Sequence, residues 1–212
     1  MKIKNILLGV ICCAGLVACN EKEFLDLPPQ ASLDNASLTT SEGIGYLINA
    51  AYAALAGPNV TFGAMNSPVN HWIEGELHSD NAYKGGGGPS DNTNMHMIET
   101  NAIDASHSML NSWWQALYQS IRRTNMALEA LNNLSADEVP EYDYLKAEMR
   151  VLRAHYYFEL SRHFNKIAWI DETIPEEEYS SIRNDQYSRD EILGMIAKEF
   201  EEAGQVLPDS FQ

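Results

Sequence analysis

Apolar residues recur at steps of three and four along four separate stretches, and this period constrains the chain more than any other feature. The first stretch carries Ile44, Leu47, Ile48, Ala51, Tyr52 and Leu55. The second, over about residues 110–131, carries Trp114, Leu117, Tyr118, Ile121, Leu128 and Leu131, with Asn125 on the same face. The third, about 144–164, carries Leu145, Met149, Leu152, Tyr156 and Leu160, and the fourth Leu193, Ile196, Phe200, Ala203 and Leu207. A period near 3.6 gathers such residues into one stripe of a helix that must bury that stripe. Val151, Ala154 and Phe158 widen the third stripe, which predicts a helix covered on more than one side, with Trp113-Trp114 and Tyr156-Tyr157-Phe158 as core. No run alternates with the period of a strand, so the fold class is mainly α: long amphipathic rods in antiparallel pairs. Trp114-x2-Leu117 with Ile121 echoes the tetratricopeptide pattern.

Local signals punctuate these rods. Thr40 or Ser41 caps the first and Gly57-Pro58 ends it. Ser188 and Glu191 form a capping box at the start of the fourth, and Pro208 stops it. Residues 59–108 read as mostly irregular, rich in Asn, Asp, Ser and Gly, with the run Gly85-Gly86-Gly87-Gly88-Pro89. A long irregular segment of this kind is usually functional. Its glycines serve either close backbone approach to a ligand or flexibility.

The first 18 residues read differently. Lys2 and Lys4 precede an apolar run, Ile6–Val17, that is shorter than the ~20 helical residues a bilayer requires. Leu16-Val17-Ala18-Cys19 closes it in the manner of a bacterial lipoprotein signal. Residues 1–18 are therefore expected to be a signal peptide, and residues 19–40 a lipidated tether containing Pro28-Pro29. Cys19 is expected to carry the acyl chains, palmitate among them. Cys12 and Cys13 would leave with the signal, so no disulfide or thiolate metal site would remain and stability would rest on packing. The chain carries a net charge of -16, and loss of Lys2 and Lys4 would take it to -18. Such a surface does not attract nucleic acid.

Several stretches carry a resemblance: Phe24-Leu25-Asp26-Leu27-Pro28-Pro29, Asn49-Ala50-Ala51-Tyr52-Ala53-Ala54-Leu55, and His78–Gly86. The most specific are Trp114–Asn125 and Ala147–Leu160. With these residues the chain resembles the RagB/SusD family of surface lipoproteins of Bacteroidetes-type bacteria. The resemblance implies tetratricopeptide-like helix pairs, here over residues 41–212, with a long irregular ligand-binding loop region. It also implies an outer-membrane, cell-surface protein held by its lipid, partnered with a SusC-like TonB-dependent transporter, that captures oligosaccharides or peptides and performs no chemistry. Family members usually place aromatic-Gly-x-x-Pro after the third helix. Here Phe164-Asn165-Lys166-Ile167-Ala168 stands there, and Asn165 is expected to supply the left-handed conformation. Family members are also more than twice as long, so this chain is expected to be truncated at its C-terminal end.

Sugar capture needs flat aromatic faces beside amides and carboxylates. Trp72, Asp80, Asn81 and Tyr83 supply that mixture and are the candidate ligand-binding residues. The competing reading puts Trp72 in the core and makes the polar residues ordinary turn formers. His71, Glu74, Glu76, His78 and Asp80 crowd together, but their spacing fits no metal-binding helix, so neither metal nor cofactor is expected. His155, Glu159 and His163 lie at i, i+4 and i+8 and read as a solvated Glu–His set. Arg122, Arg123, Arg150 and Arg153 are expected to pair with acidic residues between helices. Two other functions stay open: a lipid-anchored hydrolase using Glu74 and Glu76, and a helical adaptor that binds only protein.

Overall fold

The computed structural model describes residue 38, residues 40–56 and residues 72–208. The segments expected to form the signal peptide, the lipidated Cys19, the Pro28-Pro29 tether and the Gly57-Pro58 stop lie outside the described residues. Those described contain five α-helices and no strand: α1 (Ser41–Ala53), α2 (Thr93–Glu99), α3 (Ser108–Asn132), α4 (Tyr142–His163) and α5 (Arg189–Gly204). A π-helical turn spans Trp72–Leu77, and 3-10 turns span Ala54–Ala56 and Glu176–Ser181.

Local chemistry sets the helix starts. Thr40 caps α1, its Oγ1 accepting from the Gly43 amide at 3.0 Å. The capping box of α5 is complete, with Ser188 and Glu191 each satisfying the other's backbone amide. Such reciprocal caps stabilise a helix end by about 1 kcal/mol.

Two antiparallel pairings organise the long helices. Along α3 and α4, Trp113 meets His163 and Asn125 meets Arg153, so moving forward along one helix is moving backward along the other, and Trp114 meets Phe164 just past the end of α4. Along α4 and α5, Arg150 meets Glu202, Arg153 meets Glu199 and the Ser161 carbonyl meets Arg189. α1 packs across both α3 and α4; Arg123 donates to the Ala50 carbonyl at 3.3 Å, and the Tyr156 hydroxyl to the Ala51 carbonyl at 2.8 Å. Helix α4 is the centre of this arrangement. Met149, Ala154, Tyr156, Tyr157 and Leu160 are fully buried among Leu128, Leu131, Ile44, Ile192 and Ile196. Burying side chains of this size contributes about 1.5–3 kcal/mol each.

The core includes one polar knot. Arg153, 3% exposed, donates from Nη1 to Asn125 Oδ1 at 2.9 Å and from Nε to Glu199 Oε2 at 3.0 Å, and also pairs with Glu172. Burial works against its charge, but Glu199 and Glu172 outweigh that and hold the guanidinium protonated well above its ordinary range. Three helices and the 171–175 turn thus meet at one cation. Arg150 and Arg122 pair with Glu202 and Glu176 at the surface.

The chain after α4 runs through the core without a partner strand. The Tyr118 hydroxyl donates to the Ala168 carbonyl and accepts from the Ala168 amide, at 2.9 and 2.8 Å. The Tyr157 hydroxyl does the same for Ile170, at 2.8 and 2.6 Å. Two phenols therefore satisfy backbone groups that would otherwise be buried unpaired.

Four expectations need correction. Residues 72–77 and 93–99 are helical, not irregular; Asn92 caps α2 by accepting from the Met95 amide. Phe158 is 43% and Phe200 38% exposed, because α4 and α5 turn Tyr157 and Ile192 inward instead. Asn165 does not take a left-handed conformation: Phe164 ends α4 in an extended one, and the phenol clasp carries the exit. Glu159 is not solvated; it is 4% exposed.

Candidate functional site: the 72–91 region

A second, smaller core supports the region between α1 and α3. Ile73 and Leu77 point from the π turn onto Met95 and Ile98 of α2 and onto Met109 and Trp113 of α3. With both apolar residues of the turn facing inward, Trp72 lies outside this cluster, 40% exposed. The Ala82 amide returns to the Glu76 carbonyl at 3.0 Å, and Ser79 Oγ accepts from the Asn81 amide at 3.3 Å. Asp80, Asn81 and Tyr83 therefore sit on a tight exposed turn, with Tyr83 77% exposed.

All four candidate residues, Trp72, Asp80, Asn81 and Tyr83, thus lie along one solvent-facing stretch. Among the described residues none of their side chains has a hydrogen-bond, ion-pair or ring partner, and no ring contact joins Trp72 to Tyr83. Trp72 is not a core residue. The stretch offers two aromatic faces, a carboxylate and an amide, with no nucleophile held against a base.

Two concavities flank the Trp113-Trp114 pair. One, about 290 Å³, is walled by Ile98, Ile103, Leu110 and Trp113 and rimmed by Glu74, His78, Arg162 and His163. His163 Nε2 lies 2.7 Å from Glu74 Oε2, with the imidazole edge-on to Trp113. Burial first, then the neighbouring Glu159 charge, pushes the Glu74 carboxyl up to about 7, against the lowering influence of Arg162. Arg162 in turn donates to Glu159 at 3.0 Å. This chain of charges ties the π turn to the end of α4. The sequence spacing of His155, Glu159 and His163 drew notice to α4. The partner of His163, however, lies 89 positions earlier, and no local signal links the two. Among the described residues no group of three or more His, Cys, Asp or Glu is placed to hold a metal ion.

The other concavity, about 320 Å³, lies between α3 and the 170–179 segment, lined by Trp114, Tyr118, Asn125, Ile170 and Tyr179. It is mostly apolar; the Tyr118 hydroxyl is bound to Ala168 and Asn125 to Ile170 and Arg153, while Gln115, Gln119 and Arg122 add polar groups to its lining. None of the four exposed candidates lines either concavity.

Residues 23–212 match the profile of a family described as SusD-like, starch-binding and associating with the outer membrane. No curated protein matches the sequence. Among solved structures, a laminarin-binding SusD-like protein is similar with a TM-score of 0.65 and 25% identity, over 82% of this chain and 35% of its own. A SusD-like protein from Bacteroides fragilis is similar with a TM-score of 0.64 and 19% identity, over 85% of this chain and 32% of its own. The chain spans about a third of the length of these relatives.

Proposed function

This chain belongs to the SusD-like family of starch-binding proteins that associate with the outer membrane, and from that premise we propose that it is a non-catalytic cell-surface receptor that captures oligosaccharides. The observation that carries this reading is the exposed stretch of Trp72, Asp80, Asn81 and Tyr83, seated on a helical support. Pyranose rings present apolar C–H faces that stack on aromatic rings, and hydroxyls that need acceptors and donors beside them. Because one similar structure is named as laminarin-binding, a soluble β-glucan is the first ligand to try and starch the second. Peptide capture is the variant of this reading if neither glycan binds.

The protein would sit on the outer membrane through lipid on Cys19, where several acyl chains hold firmly and one only marginally. It would pass its cargo to a SusC-like TonB-dependent transporter. Affinity electrophoresis of the full chain, purified in detergent, in gels containing laminarin or starch tests the binding. Retardation that Trp72→Ala and Tyr83→Ala each weaken without abolishing supports the reading; cleavage products that vanish in Glu74→Gln overturn it in favour of a hydrolase. Glu74 is the carboxyl to watch, because one that holds its proton near neutrality suits a general acid.

A further inference from the structure

The chain from Lys84 to Asp91 is wrapped around a single side chain. Lys84 belongs to an exposed loop, yet its side chain is only 4% exposed. Its Nζ donates to the Gly85 and Gly88 carbonyls, each at 3.0 Å, and pairs with Asp91 Oδ1. An ammonium has three donors and no acceptor, so all three are used inside the loop. The other Asp91 oxygen accepts from the Gly87 amide at 2.7 Å. The Lys84 hydrogen bond, and then the Gly87 amide, hold the Asp91 carboxyl below its ordinary range.

Glycine is required for this wrapping. Gly86 has φ +77°, and a Cβ there would stand 1.6 Å from Asp91 Oδ2. The sequence offers close approach to a ligand or flexibility for the glycine run; what the geometry shows at Gly86 is neither, but close packing against Asp91 of the same loop. Both sides of Tyr83 are also tied at the backbone. The Ala82 amide binds the Glu76 carbonyl of the π turn, and the Lys84 amide donates to Glu99 Oε1 of α2 at 3.3 Å.

We infer that Lys84 is a positioning residue for the ligand-binding stretch: its ammonium, caged by the Gly85 and Gly88 carbonyls and Asp91, keeps the glycine loop closed so that Tyr83 meets the ligand in a fixed orientation. The inference rests on the reading of residues 72–83 as the glycan-binding stretch. Its physical basis is preorganisation. An exposed aromatic on a loose glycine loop must be ordered when the ligand binds, and a caged one is ordered beforehand. A glycine run without the cage would be the worst support for such a residue; with it, the run becomes a rigid mount.

The test uses the full chain in detergent, with laminarin and soluble starch as probes, and four variants: Lys84→Met, Gly86→Ala, Tyr83→Ala and Lys84→Met/Tyr83→Ala. Lys84→Met keeps the length and removes the charge. It is expected to weaken glycan binding roughly tenfold, to leave the urea midpoint of the whole protein unchanged, and to speed amide exchange in residues 84–91. Gly86→Ala should do the same. In the double variant the loss should equal that of Tyr83→Ala alone, because Lys84 acts through Tyr83; a merely structural or directly contacting lysine gives losses that add. Additive losses, or unchanged exchange of 84–91 in Lys84→Met, overturn the positioning role while leaving the binding reading intact. If Tyr83→Ala binds as the wild type does, or if the wild type binds neither glycan, both fail together.

Discussion

The helical core and the 72–91 region are built from opposite materials. Around α4 the chain buries Tyr156, Tyr157, Leu160, Leu128 and Leu131 completely, and the buried cation there, Arg153, is surrounded by Asn125, Glu172 and Glu199. The smaller region has Ile73, Leu77, Met95, Ile98, Met109 and Trp113 beneath it. Everything above that floor is held by polar clasps: Lys84 with Asp91, and Glu74 with His163. Apolar burial makes a scaffold that resists change as a unit. Polar clasps over a small floor make a surface that can be specified residue by residue and altered without unfolding the rest.

The sharpest way to break this contrast is at Arg153. Arg153→Ala leaves Glu172 and Glu199 buried without their cation, and is expected to cost about 3–5 kcal/mol. Urea unfolding should show a lower midpoint for the whole helical unit. A loss below about 1 kcal/mol would mean that the knot does not tie the helices. The next effect belongs to the smaller floor. Ile98 is 1% exposed, and Ile98→Ala is expected to cost about 2–3 kcal/mol. Faster amide exchange should be confined to residues 72–107, with α4 and α5 protected as before. Exchange that spreads evenly over all five helices would erase the distinction between the two regions.

The smallest effect is electrostatic. The Glu74 carboxyl, facing Glu159, Arg162 and His163 of α4 and His78 of its own segment, holds its proton up to about 7 in the fold against an ordinary 4.5. The folded state therefore binds that proton more tightly than the unfolded chain does. Its contribution is complete below about pH 4.5 and is lost as the pH rises to about 7. The loss is on the order of 1 kcal/mol once solvent screening of the partly exposed group is allowed for. Glu74→Gln should flatten the dependence of the urea midpoint between pH 5 and 7.5 by about that amount. An unchanged slope would assign the pH dependence elsewhere.

The two regions also differed in how far the sequence revealed them. The periods placed α3 and α4 within two residues of their observed ends, since long stripes average out single exceptions. Ser188 and Glu191 announced α5 because a capping box is local chemistry. The same periods misplaced Phe158 and Phe200, where a wide stripe leaves the choice of inward residue to the neighbouring helix. Helix α2 escaped notice because Met95 and Ile98 are too few to form a period; packing against Ile73 and Trp113 decides its state. Trp72, Asp80, Asn81 and Tyr83 were legible as a mixture of residue types, and their exposure was not. The cage around Lys84 depends on carbonyl directions, which no side-chain pattern encodes.

The phenol clasp has a mechanical meaning. Tyr118 stands on α3 and Tyr157 on α4, and their hydroxyls grip Ala168 and Ile170, two residues apart on one extended chain. That chain is a ruler laid across two beams. Any parting of the beams drags the marks off at one end or the other, so the gap between helices and the position of the exit segment vary together as one coordinate.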